Sequence, residues 1–272
     1  MANRLFDLQE TKGTFQITGI VSGTEKDNFY TEKKTKTGKD FRAVNFGLEF
    51  DEKKTAYVNL TGMPKDKVYF SKAVKKGEKS EMKEVKWSER FSFKEEGFSV
   101  MGATLGLEKT TDKDGKLVNL KKKLVEFDAC KEINDKLTDG KSVFVKGKTE
   151  FSSFVNGNGN KTSSVKFIPN QISLCADVNF EKEDFKSNNL FTQTIIYIGI
   201  DKEKEGERET GRFILTAKIV TYNSIEDAEF IIEDSKLALQ LKKGLKPYNA
   251  IQVSGFININ NDTESVDSSD DD

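Results

Sequence analysis

The chain has 272 residues, 35% of them hydrophobic and 33% charged, with a formal net charge of −1. That is material for one large domain or two modest ones, with a lean core under a heavily solvated surface. It contains no histidine, which excludes Ser-His-Asp and Cys-His nucleophile systems, histidine zinc sites and the usual general base near neutral pH.

Strand signals open the chain. Phe15, Ile17 and Val21 alternate with polar residues, Val44, Phe46, Leu48 and Phe50 do so again, and Val58 and Leu60 follow. This is the two-residue period of a half-buried strand. Residues 63–122 read as an insertion rich in lysine and aromatics, with a hairpin turning at Asp112–Gly115. The Asp-Lys-Asp-Gly string there lacks the downstream glutamate and spacing of a calcium loop, so it reads as a plain turn. From Lys123 to Asp139 the apolar spacing changes to that of a short helix, ended by Gly140. Val143 and Val145 begin another strand, and Val165 and Phe167 another, joined across a glycine–asparagine run.

Three strands, a helix and two strands is the order of an OB-fold, a five-stranded barrel with a helix between strands three and four. The alternative is another small β-barrel or sandwich. The second half repeats the plan: a strand at 191–200, two strands within 212–232, a helix at 234–244 and a strand at 249–259. Val145–Gly147 and Val253–Gly255 fall at the same point after each helix, where a glycine permits a sharp bend. The repeat runs out before a fifth strand. The expected fold is therefore mainly β, with an OB-like barrel over 1–180 carrying the insertion, a smaller and incomplete OB-like unit over 181–260, and a disordered acidic tail over 261–272.

Charge follows the same division. The last twelve residues hold six acids and no base, which leaves 44 basic against 39 acidic residues in the remainder, a net of +5. Cys130 and Cys175 read as reduced buried thiols of a cytoplasmic protein. No apolar run approaches the ~18 residues of a membrane span, and the N-terminus has no secretory pattern. Metal and other cofactors are not expected.

An OB barrel binds along one face, with the loops between strands 1–2 and 4–5 as jaws. The first jaw holds Lys33, Lys34, Lys36 and Lys39 beside Phe41; the second holds Phe154 and Lys161 about a flexible tip. Lysines neutralise phosphates, and aromatics stack on bases whatever their sequence. If Val58 and Leu60 point inward, Tyr57 and Asn59 point outward. If Val143 and Val145 point inward, then Phe144, Lys146 and Lys148 point outward. Trp87 in the insertion is a further candidate, either for binding or as a packing anchor. In the tail, Asp262, Glu264, Asp267, Asp270, Asp271 and Asp272 can occupy the protein's own basic groove or reach a partner; the alternative is a solubilising end.

A basic OB-type body followed by a short acidic C-terminus resembles bacterial and particularly bacteriophage single-stranded DNA-binding proteins. The resemblance covers the first barrel and the tail, with a looser counterpart in the second unit. Many such proteins end in a phenylalanine, whereas this chain ends Asp270-Asp271-Asp272. The resemblance implies sequence-tolerant coating of exposed single strands in replication and recombination, without enzymatic activity, with the tail recruiting other replication proteins. Two readings compete: a structural component of a phage particle built from β-barrels, and a Mg²⁺-dependent nucleic-acid enzyme using carboxylates alone.

Overall fold

A computed structural model describes residues 8–72, 74, 80–155, 161–182 and 185–259, with only the backbone of residues 154, 155, 161 and 162. The acidic tail lies outside the described residues. None of the described helices is long and apolar enough to cross a membrane. The chain forms two compact units, each discontinuous in sequence. Among the described residues, the barrel unit draws on Ile17–Val145, Gln171–Asn189 and the residues from Ile257 on, and the second unit on the residues up to Gln16, Lys146–Asn170 and Leu190–Phe256.

The barrel unit begins with β1 (Gly13–Ser22), β2 (Tyr30–Lys34), β3 (Asp40–Asp51) and β4 (Lys54–Gly62). In β3, Val44, Phe46, Leu48 and Phe50 are buried, and in β4 Ala56, Val58 and Leu60 are buried. Period-two alternation puts these side chains on one face; the other face of β3 is half-buried at Asn45 and Glu49 and buried at Ala43 and Gly47. An inserted region follows: β5 (Lys67–Lys72), β6 (Met82–Lys86), β7 (Phe98–Val100), β8 (Ala103–Thr111) and β9 (Leu117–Leu124). Then come α1 (Glu126–Lys136), β10 (Ser142–Val155) and β11 (Lys161–Leu174). The pairing order runs β1–β10–β11–β4–β3, and β1 also pairs with β3, so the five strands close on themselves. With α1 between the third and fourth strands of that ring, this is the OB-like barrel expected from the element order.

Helix α1 packs against β3 and β4. Phe127, Ala129, Cys130 and Ile133 are its buried positions, spaced as one helical stripe. The helix ends at Lys136, with the Leu137 N–H bonding to the Ile133 carbonyl. Gly140, expected as its terminator, lies beyond it at φ +80, in the turn that leads to β10. Gly62 allows the approach of α1, because a Cβ there would collide with the backbone of Glu126 and Phe127.

The insertion has a small core of its own. Strands β6, β5 and β7 form a separate sheet, burying Val68, Phe70 and Val85 with Val125, while Trp87, Phe93, Phe98 and Val100 pack against them. Arg90 joins this element to α1 through two hydrogen bonds to the Asp128 carboxylate, at 2.7 and 3.0 Å. Asp128 lies in the first helical turn, where a negative charge also complements the helix dipole. The β8–β9 hairpin turns at Asp112–Gly115 as expected, with the Asp112 carboxylate accepting from the Asp114 and Lys116 amides.

The second unit contains β12 (Asn189–Glu205), β13 (Arg208–Val220), β14 (Ile225–Ile232), α2 (Ser235–Gly244) and β15 (Ala250–Phe256). β12 pairs with β13 and β15, and β13 pairs with β14. Ile195, Tyr197, Ile200, Phe213, Leu215 and Ile219 form its core. Asp234 caps α2 by accepting from the Lys236 and Leu237 amides at 2.8 and 3.1 Å. Gly147 and Gly255 serve close approach rather than a bend. A Cβ on Gly147 would strike the Ile168 carbonyl, and one on Gly255 would press on the Phe191 ring at 3.0 Å.

Two outcomes follow from this packing. Gly62→Ala should lower the stability of the barrel unit by about 1–3 kcal/mol, because the backbone of α1 must move; a urea melt measures it. Burial pushes the Cys130 thiol up to about 12 from an ordinary 9.0. Holding that proton stabilises the fold fully below the unfolded value, and the contribution is lost as pH rises toward the folded one. Native Cys130 should therefore resist alkylation at neutral pH and react on unfolding. The urea midpoint of Cys130→Ala should fall less than the parent's as pH rises above about 9.

Candidate nucleic-acid interface

The outward face of β2–β3–β4 is set by the same alternation that builds the barrel core. In register, Lys33 lies opposite Phe41, Thr31 opposite Ala43, Asn45 opposite Asn59, Gly47 opposite Tyr57 and Glu49 opposite Thr55. Tyr57 stands 69% exposed on this face. Its cross-strand neighbour has no side chain to lean over the ring. Gly47 is required there because β1 pairs with β3 on its other side: Ser22 lies opposite Gly47, and a Cβ would meet Ser22 Oγ at 2.5 Å. At the other end of the face, the Lys33 ammonium sits over the Phe41 ring, 5.8 Å from its centroid. Six residues along β3 separate Phe41 from Gly47, roughly 20 Å of strand. Between the two aromatics the paired positions carry threonine, alanine and asparagine, with Ala43 buried.

Two of the four lysines of the first jaw, Lys33 and Lys34, are on a strand rather than in a loop, since β2 extends β3 as a hairpin. Lys36 and Lys39 are exposed in the turn, which is closed by Thr35–Lys39 and Thr35–Gly38 backbone bonds and has Gly38 at φ +78. Lys34 pairs with Asp40 at 3.3 Å, with both side chains largely in water. Such a pair contributes little to stability and leaves Lys34 open to exchange for a phosphate. Arg42 is held differently. Its guanidinium bonds to Glu32 at 2.8 Å and covers the Phe127 ring at 4.0 Å. Hydrogen bonds from Arg42 and from the Tyr30 hydroxyl hold the Glu32 carboxyl below the usual carboxylate range. Burial and the bond to Glu32 push the Tyr30 phenol up. These three groups brace the hairpin.

The remaining sequence candidates lie elsewhere. Trp87 is half-buried in the short 3-10 turn after β6, packed against the core of the inserted sheet, with Arg90 over its ring at 4.1 Å and Phe127 edge-on at 5.9 Å. Phe144, on β10 in the barrel unit, is half-buried. Lys146 and Lys148 are exposed on β10 in the second unit, and Lys148 faces Glu150 at 3.9 Å. The side chains of Phe154 and Lys161 lie outside the described residues, as do Asp262, Glu264, Asp267, Asp270, Asp271 and Asp272.

The sequence alternation turns Asn59 outward but gives it no role, and it does not single out Asn45. The structure joins them: Asn59 Nδ2 donates to Asn45 Oδ1, and Asn45 Nδ2 donates to the Asn28 carbonyl at 3.1 Å. The signal was the pair of asparagines at outward positions of adjacent strands, visible only once the register is known. In the second unit, the outward face of β13–β14 pairs Ile214 with Ile231, Thr216 with Glu229 and Lys218 with Asp227. These paired positions carry no aromatic residue, and Lys218 is joined to Asp227 in an ion pair.

The YorF family model matches residues 75–272 of the chain. No curated protein sequence matches it. Among solved structures, the wild-type single-stranded DNA binding protein from Thermus aquaticus is similar, with 12% identity, a TM-score of 0.41, and 92% of this chain and 85% of that chain covered. A deletion variant of that protein gives 11% identity, the same TM-score, and 92% and 87% coverage.

Proposed function

The chain belongs to the YorF family, and we propose that it binds single-stranded DNA without demanding a base sequence, through the outward face of β2–β3–β4. The observation that carries this reading is Tyr57, a large aromatic ring 69% exposed on a rigid strand face. A ring in that position is a platform for a base, since every base has a π-face. Lys33 on this face, Lys36 and Lys39 in the adjoining turn, and Lys34 on the opposite side of the hairpin end supply cations for the backbone phosphates of the same strand. A face of this kind binds and does not catalyse, so the reading is of a coating protein and not an enzyme. The contrasting face of β13–β14 offers no aromatic ring at its paired outward positions, and its Lys218 is already paired with Asp227, so the reading assigns the DNA to the barrel unit.

The six acids of the C-terminus extend the reading. They carry −6 against the +5 of the remainder and would compete with DNA phosphates for the same lysines at low salt, within a Debye length of about 8 Å at physiological ionic strength. DNA in the groove would then release them for replication or recombination proteins in the host cytoplasm.

Fluorescence titration with oligothymidine at several salt concentrations tests the interface. Tyr57→Ala should weaken binding by ~5- to 150-fold, the equivalent of roughly 1–3 kcal/mol for one stacked base, with an unchanged salt slope, because stacking releases no counterions. Joint reversal of Lys33, Lys34 and Lys36 to Glu should weaken binding and flatten the slope by about 0.7 for each lost contact. If both variants bind as the parent does, this face is not the interface. Removal of residues 261–272 should tighten binding at low salt and converge on the parent at high salt; equal affinities throughout would reduce the tail to a solubilising end.

A further inference from the structure

Asn59 lies two residues beyond Tyr57 on the same outward face of β4, roughly 7 Å along the strand. Its amide is not free to turn. The Asn28 carbonyl can only accept, so Asn45 must direct its NH₂ at it, and the bond is 3.1 Å long. That turns the Asn45 carbonyl toward β4, where the NH₂ of Asn59 donates into it. Asn59 is left presenting its own Oδ1. Each amide has a donor at one end and an acceptor at the other, so an acceptor-only anchor at one end of the relay sets the polarity of every group along it. The anchor is itself secured, since the Asn45 backbone N–H donates to the Phe29 carbonyl at 2.8 Å.

A fixed acceptor one base-width from a stacking ring has a definite use. Adenine, cytosine, guanine and thymine differ in most respects, but each carries at least one N–H donor on its Watson–Crick edge. In a duplex that donor is bonded to the complementary base. We infer that Asn59 Oδ1 accepts a Watson–Crick-edge N–H from the base stacked on Tyr57, with Asn45 as the positioning residue that keeps the acceptor outward. Any unpaired base satisfies this contact and no paired base does. The device selects single strands over duplex without selecting sequence. The opposite amide polarity would present a donor and seek base carbonyls or ring nitrogens instead. The inference rests on the proposed interface and adds its edge-reading group.

Two oligomers test it with the parent protein: oligothymidine, and the same length of N3-methylthymidine, which keeps rings and phosphates but replaces the imino N–H. The parent should bind the methylated oligomer roughly three- to tenfold more weakly, the scale of one hydrogen bond. Asn59→Ala should bind both oligomers equally, below the parent's affinity for oligothymidine. Asn45→Ala, which frees Asn59 to flip, should shrink the parent's preference with Asn59 intact; a structural role for Asn45 would weaken both oligomers alike and keep the preference. Equal binding of both oligomers by the parent, with Tyr57→Ala still weakening both, overturns the role of Asn59 and leaves the interface standing. Unchanged binding by Tyr57→Ala overturns the interface and this inference with it.

Discussion

The closed ring of β1, β3, β4, β11 and β10 is the constraint from which the other features follow. Its interior takes Val44, Phe46, Leu48 and Phe50 from one strand and Ala56, Val58 and Leu60 from the next, all buried. A strand cannot slip by one residue without moving that whole set into water. The cost of such a slip, at roughly 1.5–3 kcal/mol for each large apolar side chain, is far more than a small domain can lose. The register is therefore held rigidly, and the outward row is held with it. Tyr57 faces water because Val58 does not.

That rigidity matters for the proposed recognition. A base stacked on a mobile ring gains little, because ordering the ring costs side-chain entropy. On this face the ring projects from a barrel strand whose neighbours are themselves held in place. Ser22 of β1 meets Gly47 of β3, and α1 lies close against Gly62 at the end of β4. The Arg90–Asp128 contact then ties the inserted sheet to that helix. Trp87 belongs to this bracing. With Arg90 over its ring and Phe127 at its edge, it packs where Tyr57 projects.

The two units share an element order but not a surface. Both have three strands, a helix and a returning strand. The face corresponding to β3–β4 in the second unit is lined by isoleucine, threonine, Glu229 and the Lys218–Asp227 ion pair. A repeated fold thus carries different surface chemistry in its two copies, which is the general relation of folds to sites.

How much of this the residues alone determine can be judged element by element. Alternation in 44–50 and 58–60, the helical spacing in 123–139 and the turn at Asp112–Gly115 are local patterns, and each produces the kind of element it announces, although Lys123 and Leu124 end strand β9 and the helix is Glu126–Lys136. The outward direction of Tyr57 and Asn59 is also local, because the period of a strand is two. Strand β2 is not legible: its run of Tyr30, Thr31, Glu32, Lys33 and Lys34 has no alternation, and it is a strand only because β3 is beside it. The Val-x-Gly repeat is legible, but its reason is not, since the carbonyl of Ile168 and the ring of Phe191 come from distant segments. The placement of Trp87 in a core, and the relay from Asn28 through Asn45 to Asn59, likewise depend on which residues stand opposite one another. Local spacing determined which side chains face water; only the tertiary register decided which of them meet, because a cross-strand neighbour is set by pairing between segments that the chain itself keeps far apart.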